Sequence, residues 1–307
     1  MSSALPIGRP TLDPHRQAWL YAAATVALWS TVATAFEIAL RAVSPAMLLA
    51  GANAVAVIAL AIICLLRGEL SASWRLPARE HLRALGLGLL NPLIYYLVLL
   101  AAYDRLPGQV AQPLNYTWAI TFSLLAIPLL GQRLVRGELS AMLIAWVGVL
   151  LIATDGDPRS FATHDLLGVT LALASTFIWA LYWIAAARDT RAPVPGLLLN
   201  FSYALPLTIA FAALSGSAPK LTAESIVAIV WVGLAEMAVS FVFWLIALQR
   251  ARSAAAISSL IFVSPFLSLV LLSTVAGEAI RPSTPIGLAF IVAGMLAQQR
   301  LRARAAL

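Results

Sequence analysis

The stretch WVGLAEMAVSFVFWLIAL, residues 231–248, is apolar almost throughout but carries Glu236 near its middle. Placing an ionised acid at the centre of a membrane span costs about 2.5–3.5 kcal/mol on insertion scales, so such a residue faces a cavity or a partner and is a functional candidate by default. At helical spacing its face also presents Gly233, Ser240 and Trp244, which are small, polar and aromatic. Two kinds of chemistry suit an acid in that setting: counter-charge for a substrate ammonium, or carriage of a proton. The structural alternative is a neutral glutamic acid hydrogen-bonded to a neighbour such as Asn91, because burial disfavours the charged form.

Other polar groups recur at similar depth. In GQVAQPLNYTWAITFSLL, from Gly108, the residues Gln112, Asn115, Ala119 and Ser123 share one helical face, flanked by Tyr116 and Trp118. Pro113 lacks an N–H and frees a carbonyl beside that face. NPLIYY places Asn91 and Tyr95 four residues apart, again next to a proline. STFIWALYW gives the stripe Ser175, Trp179, Tyr182 and Ala186, and a later block contributes Ser258, Phe262 and Pro265. Trp19 and Trp74 suit an interfacial belt, whereas Trp29, Tyr95, Trp118 and Trp179 lie well inside their blocks. Helix packing explains any one of these alone; several aromatic–polar stripes together point to a common cavity. A weaker stripe, Ser30, Thr34 and Glu37, suggests a mouth residue or a second proton site at Glu37.

Enzyme chemistry finds no foothold. His15, His81 and His164 fall in tails or links, no Asp lies within an apolar block, and Cys64 is the single cysteine. That excludes an intrachain disulfide, a thiolate metal site and an intramembrane Ser–His pair. No phosphate-cradling G-x-x-x-x-G-K-[ST] run exists, since the one lysine is Lys220 in a link. No cofactor or metal is expected.

The elements that must position these side chains follow from composition. Of 307 residues, 62% are hydrophobic and 11% charged, against roughly 25% charged in a soluble domain. Apolar blocks fall near 18–40, 45–66, 84–102, 108–130, 137–153, 166–187, 195–214, 225–248, 254–275 and 285–299. Their lengths match the roughly 17–25 residues that cross a bilayer, and a helix satisfies all its backbone groups there. An all-α integral membrane protein of ten spans is predicted, its first span retained rather than cleaved. Fifteen of the twenty Lys and Arg residues fall on one side of these spans and five on the other: Arg41, Arg105, Arg159, Lys220 and Arg281. The positive-inside rule then places both termini in the cytoplasm. The net charge of +7 is thus a topology signal rather than a nucleic-acid site.

Shifted by 146 residues, Leu99–Leu150 overlays Leu245–Leu296 without a gap, Gly131-Gln132 falling on Gly277-Glu278 and Gly148 on Gly294. Five spans per half is an odd number, so the halves, 1–155 and 156–307, enter the membrane from opposite sides as inverted repeats. That design belongs to transporters with a site near the midplane. Small residues such as Gly148 and Gly294 permit close helix contacts, within one molecule or between two. No Arg or Lys lies within a block, which disfavours phosphorylated substrates.

LWST (28–31), LNYTWAI (114–120), FIWALYW (177–183) and the Gly-Glu at 277–278 resemble the drug/metabolite transporter superfamily, EamA type, and within it the bacterial aromatic amino-acid exporters. The likeness runs along essentially the whole chain. It implies an inner-membrane exporter or exchanger of amino acids, aromatic and large apolar ones foremost, working by alternating access; the same fold also serves broad drug and metabolite efflux. Its partners would be a small-molecule substrate and the lipid bilayer, with no obligate protein partner. On this reading Asn91, Tyr95, Gln112, Asn115, Trp118, Trp179, Glu236, Ser240 and Ser258 line the cavity. Gln112, Asn115 and Ser258 hold the substrate's carboxylate and ammonium groups, and Tyr95, Trp118 and Trp179 pack its side chain. The chain departs from that group at Ala119, where relatives often carry proline, at Gln132, and at Glu236, whose role the resemblance does not supply.

Overall fold

Helix boundaries follow the local chemistry. Pro14, Pro45 and Pro193 each open a helix at a position where a missing N–H costs nothing. The Ser44 hydroxyl caps the second of these by accepting from the Met47 N–H. Gly131 ends another with φ at 65°, a left-handed conformation that a β-carbon would penalise. The computed structural model describes residues 13–131, 136–157, 165–186, 188–216, 220–250 and 259–305. In chain order its longer helices are α1 Pro14–Leu40, α2 Pro45–Leu66, α3 Ala78–Tyr103, α4 Gly108–Leu130, α5 Glu138–Ala153, α6 Leu166–Ala186, α7 Pro193–Leu214, α8 Ala223–Ala247, α9 Leu260–Thr274 and α10 Ser283–Ala305, with a short helix, Leu70–Trp74, between α2 and α3. No strand occurs among the described residues. Seven helices, α1 to α4 and α6 to α8, are long and apolar enough to cross a membrane; α5 and α9 are shorter apolar helices. Ile58, Leu66, Leu150 and Phe177 stand exposed on outer faces, as a lipid-facing surface requires.

Two helices are interrupted. In α3 the helix breaks within Leu89–Ile94: Asn91 adopts extended backbone, φ −145° and ψ 118°, beside Pro92, which has no N–H to give. In α8 the segment Val232–Ala238 is interrupted differently: it widens to a π-turn, with no proline present. Each break sits beside a glycine at a close helix crossing. A β-carbon on Gly88 would come within 2.3 Å of the Asn200 carbonyl on α7, and one on Gly233 within 2.5 Å of the Ala52 carbonyl on α2.

Helices α5 and α10 meet most closely. A β-carbon on Gly148 would stand 2.2 Å from the Gly287 carbonyl, and one on Gly294 would stand 2.5 Å from that of Ala141. Small residues that permit dimerisation in other membrane proteins are used here inside one molecule. Helices α2 and α7 are joined by the buried Asn53, whose amide donates to the Thr208 hydroxyl at 3.3 Å and to the Phe201 carbonyl at 3.4 Å.

A cluster of charges ties the start of α3 to the turn before α7. Arg191 is almost wholly buried; its Nε and Nη2 donate to Asp189 at 3.0 and 2.7 Å, and Nη2 also donates to the Asn200 amide oxygen at 2.8 Å. Glu80 lies 4.0 Å from the same guanidinium and is held at 3.0 Å by Arg83. Burial pushes the Asp189 carboxyl up, but the bonds from Arg191 outweigh it and hold the group below the usual carboxylate range.

Candidate functional site

The interruption in α8 brings Glu236 to the wall of a cavity of about 520 Å³. Its Oε1 accepts a hydrogen bond at 2.8 Å from the phenol of Tyr96, which is fully buried in α3. The neighbour holding this acid is therefore Tyr96 and not Asn91. Asn91 is itself completely buried at the α3 break, beside Tyr182, and does not reach the cavity. Ser240 is also fully buried; its hydroxyl bonds back to the Glu236 carbonyl at 2.6 Å instead of facing the hollow.

Six of the residues expected from sequence do meet there: Tyr95, Gln112, Asn115, Trp118, Trp179 and Glu236. Pro113 and a 3₁₀-like joint at Thr117 turn α4 so that Gln112, Asn115, Tyr116, Ala119 and Ser123 all reach the hollow. Asn115 is oriented by a relay. The Tyr95 phenol donates to its Oδ1 at 3.3 Å, and its Nδ2 donates to the Ser175 hydroxyl at 2.8 Å. The indole of Trp179 lies against Tyr95 with centroids 4.4 Å apart and planes at 27°, and stands edge-on to Trp183 at 5.6 Å. Trp29 and Trp244 complete this wall with centroids 5.5 Å apart. Glu236 is the one carboxylate among the described lining residues.

Among the buried polar atoms of lining residues without a protein partner are the indole nitrogens of Trp29 and Trp183 and the Oε1 of Gln112. Buried donors and acceptors are rarely left unmatched, so these groups would gain a partner from a guest that uncovered them. Together with Glu236 they supply donors for an anionic group and acceptors for a cationic one.

Sequence reasoning missed several parts of this wall. Trp183 lies one helical turn past Trp179 and belongs to the same wall, whereas the stripe read from sequence runs through Tyr182, which does not line the cavity. Gln298, Gln299 and Arg302 line the cavity although they fall at or beyond the last apolar block, because α10 continues as helix to Ala305. Arg302 is held by the buried Glu138 of α5, which also accepts from the Gln298 amide at 2.8 Å. Glu37 lies away from the cavity and pairs with Arg41 at 3.9 Å. Thr34 lines a separate groove between α1, α8 and α9. Ser258 and Gln132 lie outside the described residues.

A helical membrane protein with a polar-studded hollow among its helices defines a transporter class, and comparison with known proteins specifies it. The chain belongs to the EamA-like transporter family, whose model matches residues 17–154 and again residues 166–297. It is similar to an uncharacterized transporter of Archaeoglobus fulgidus, 25% identical over 206 residues that cover 64% of this chain and 70% of that one. It is also similar to an uncharacterized transporter of Clostridium kluyveri, 23% identical over 163 residues, and spans about half of that protein's length, 52%. A solved crystal structure aligns with a TM-score of 0.65 at 24% identity, covering 95% of this chain and 99% of the other; the likeness is one of fold alone. The protein is a multi-pass membrane transporter and not an enzyme.

Proposed function

We propose that this transporter exports amino acids with aromatic or large apolar side chains across the bacterial inner membrane, by alternating access around the cavity. The observation that carries this reading is the pairing, in one hollow, of a lone carboxylate with unmatched indole N–H groups. Glu236 receives the substrate ammonium, the N–H groups of Trp29 and Trp183 receive its carboxylate, and Tyr95, Trp118 and Trp179 enclose the side chain. Gln112 and Asn115 complete the polar contacts. The volume of about 520 Å³ suits a molecule of that size. The architecture we assign is two inverted five-helix repeats, 1–155 and 156–307, with both termini cytoplasmic. The family model's two successive matches and the charge asymmetry of the links support it.

Counterflow in liposomes containing the purified protein tests the substrate. Preloaded tryptophan, phenylalanine or leucine should accelerate uptake of the same radiolabelled amino acid in a saturable manner. If no amino acid moves or competes while an unrelated metabolite does, the substrate assignment is wrong. A second reading, efflux of lipophilic cations, is favoured by a different observation: the cavity's described cation, Arg302, is held by Glu138. Competition by a quaternary ammonium dye but not by amino acids would select it.

A further inference from the structure

Two successive layers of contacts stand at one end of the cavity. The inner layer is aromatic: Phe36 of α1 and Tyr103 of α3 meet edge-on with centroids 5.2 Å apart, and both line the hollow from that end. Beyond them Gln109, in the first turn of α4, is 2% exposed and has every hydrogen-bonding group of its side chain matched. Its Nε2 donates to the Ala279 carbonyl at 2.8 Å, and its Oε1 accepts from the Arg281 N–H at 2.7 Å and from the Thr284 hydroxyl at 3.1 Å. The backbone N–H of Gln109 donates to Glu278 Oε1 at 3.2 Å. A single residue of the chain's first half thus makes four bonds to one turn of its second half. That turn is fixed further by Arg41, which donates to the Ala276 carbonyl at 2.7 Å, and by Asp155, which accepts from Arg281 at 3.1 Å and from the Ser283 hydroxyl at 2.6 Å.

The opposite end has a different character. There Gln298, Gln299 and Arg302 line the cavity along one face of α10, so the hollow reaches the end of the chain that carries the basic residues. A transporter that alternates must exchange one closure for the other, and bonds made only in one state set that state's population.

We infer that Gln109, held by the turn Glu278–Thr284, is the latch that keeps the outer side of the transport cavity shut. In this structure the latch is engaged and the cavity is lined through to its cytoplasmic end. Exposure to the outside requires Gln109 to leave all four partners at once. Glu278 is a positioning residue in this device: its carboxylate sits at the N-terminal end of α4, where unpaired N–H groups favour an anion. The inference rests on the alternating-access reading above but not on the identity of the substrate.

The test is cysteine accessibility in the full chain. Cys64 is fully buried and is replaced by alanine, and a reporter is introduced by Ala119→Cys on the cavity wall. A membrane-impermeant thiol reagent is applied to spheroplasts, which present the outer face, and separately to inside-out vesicles. With the latch intact, labelling should be fast from the inside and slow from the outside. Gln109→Ala should raise the outer rate at least about tenfold and lower the inner rate, since about 1.4 kcal/mol of lost closure changes a population tenfold. Thr284→Val removes one bond of the four and should raise the outer rate about two- to threefold, which keeps the test decisive if Gln109→Ala does not fold. Unchanged rates from both faces in a folded Gln109→Ala or Thr284→Val protein overturn the latch. Failure of every amino acid in counterflow, with the labelling shift present, would discard the substrate and leave the latch standing.

Discussion

The two interrupted helices make an instructive pair. Both α3 and α8 are interrupted near the middle of their length, α3 by a kink at the extended Asn91 and α8 by a π-turn, and both place a glycine against the backbone of a neighbouring helix beside the break. Their chemistry differs. The α3 break has a covalent cause in Pro92 and hides Asn91 completely, whereas the α8 break has no proline and turns Glu236 towards the cavity. Two kinds of interruption therefore serve two ends: the kink redirects the chain, and the π-turn presents a charge. Tyr96 links them, since it rises from just beyond the first break to bond the acid of the second.

The largest contrast should appear in transport. Glu236→Gln is expected to lower counterflow about 100-fold or more, the equivalent of roughly 2.7 kcal/mol, while leaving the protein folded. Asn91→Leu should change it less than about threefold, because Asn91 does not line the cavity. Equal losses in both variants would erase the proposed division of labour. As a proton carrier instead, Glu236 would show the opposite pattern: Glu236→Gln would spare counterflow and abolish only the dependence of transport on a pH gradient.

The architectural likeness predicts matched effects instead. Gly88→Ala and Gly233→Ala each drive a β-carbon into a carbonyl, and each should cost about 1–3 kcal/mol, read as a lower midpoint in a thermal unfolding scan in detergent. A large cost at one and none at the other would show that the two crossings are not equivalent. Tyr96→Phe removes only the bond between the breaks and should reduce transport about tenfold, with kinetics showing whether KM or kcat bears the loss.

The smallest expected effect is acidic. Asp189 is held below its ordinary range, so its contribution is present above about pH 4 and fades as pH falls through the depressed value. Acidification below that point should lower the unfolding midpoint, and Asp189→Asn should remove that part of the acid sensitivity, a difference of less than about 2 °C. An unchanged acid profile in the variant would show that the cluster does not stabilise the fold.

Much of this was legible in the residues because hydrophobic length is a strong signal. The block at 45–66 coincides with α2, and that at 108–130 with α4. The α3 break was foreshadowed by Asn91-Pro92, but the α8 break was not, since a π-turn without proline leaves no mark in composition. Helical periodicity sets Gln112, Asn115, Ala119 and Ser123 on one face of α4, and all four line the cavity; the same periodicity assumes an unbroken α8 and so sends Ser240 there along with Glu236. The reach of α10 was also underestimated. An apolar count stops at about residue 299, while the helix runs on because Glu138 offers Arg302 a buried partner.

The touching backbones of α5 and α10 carry a mechanical consequence. With glycine against carbonyl at two levels, neither helix slides along the other without collision, so the two behave as a single spar. The face of α10 that bears Met295, Gln298 and Arg302 is then a stationary rail, and any rocking of the molecule must be borne by the walls opposite it.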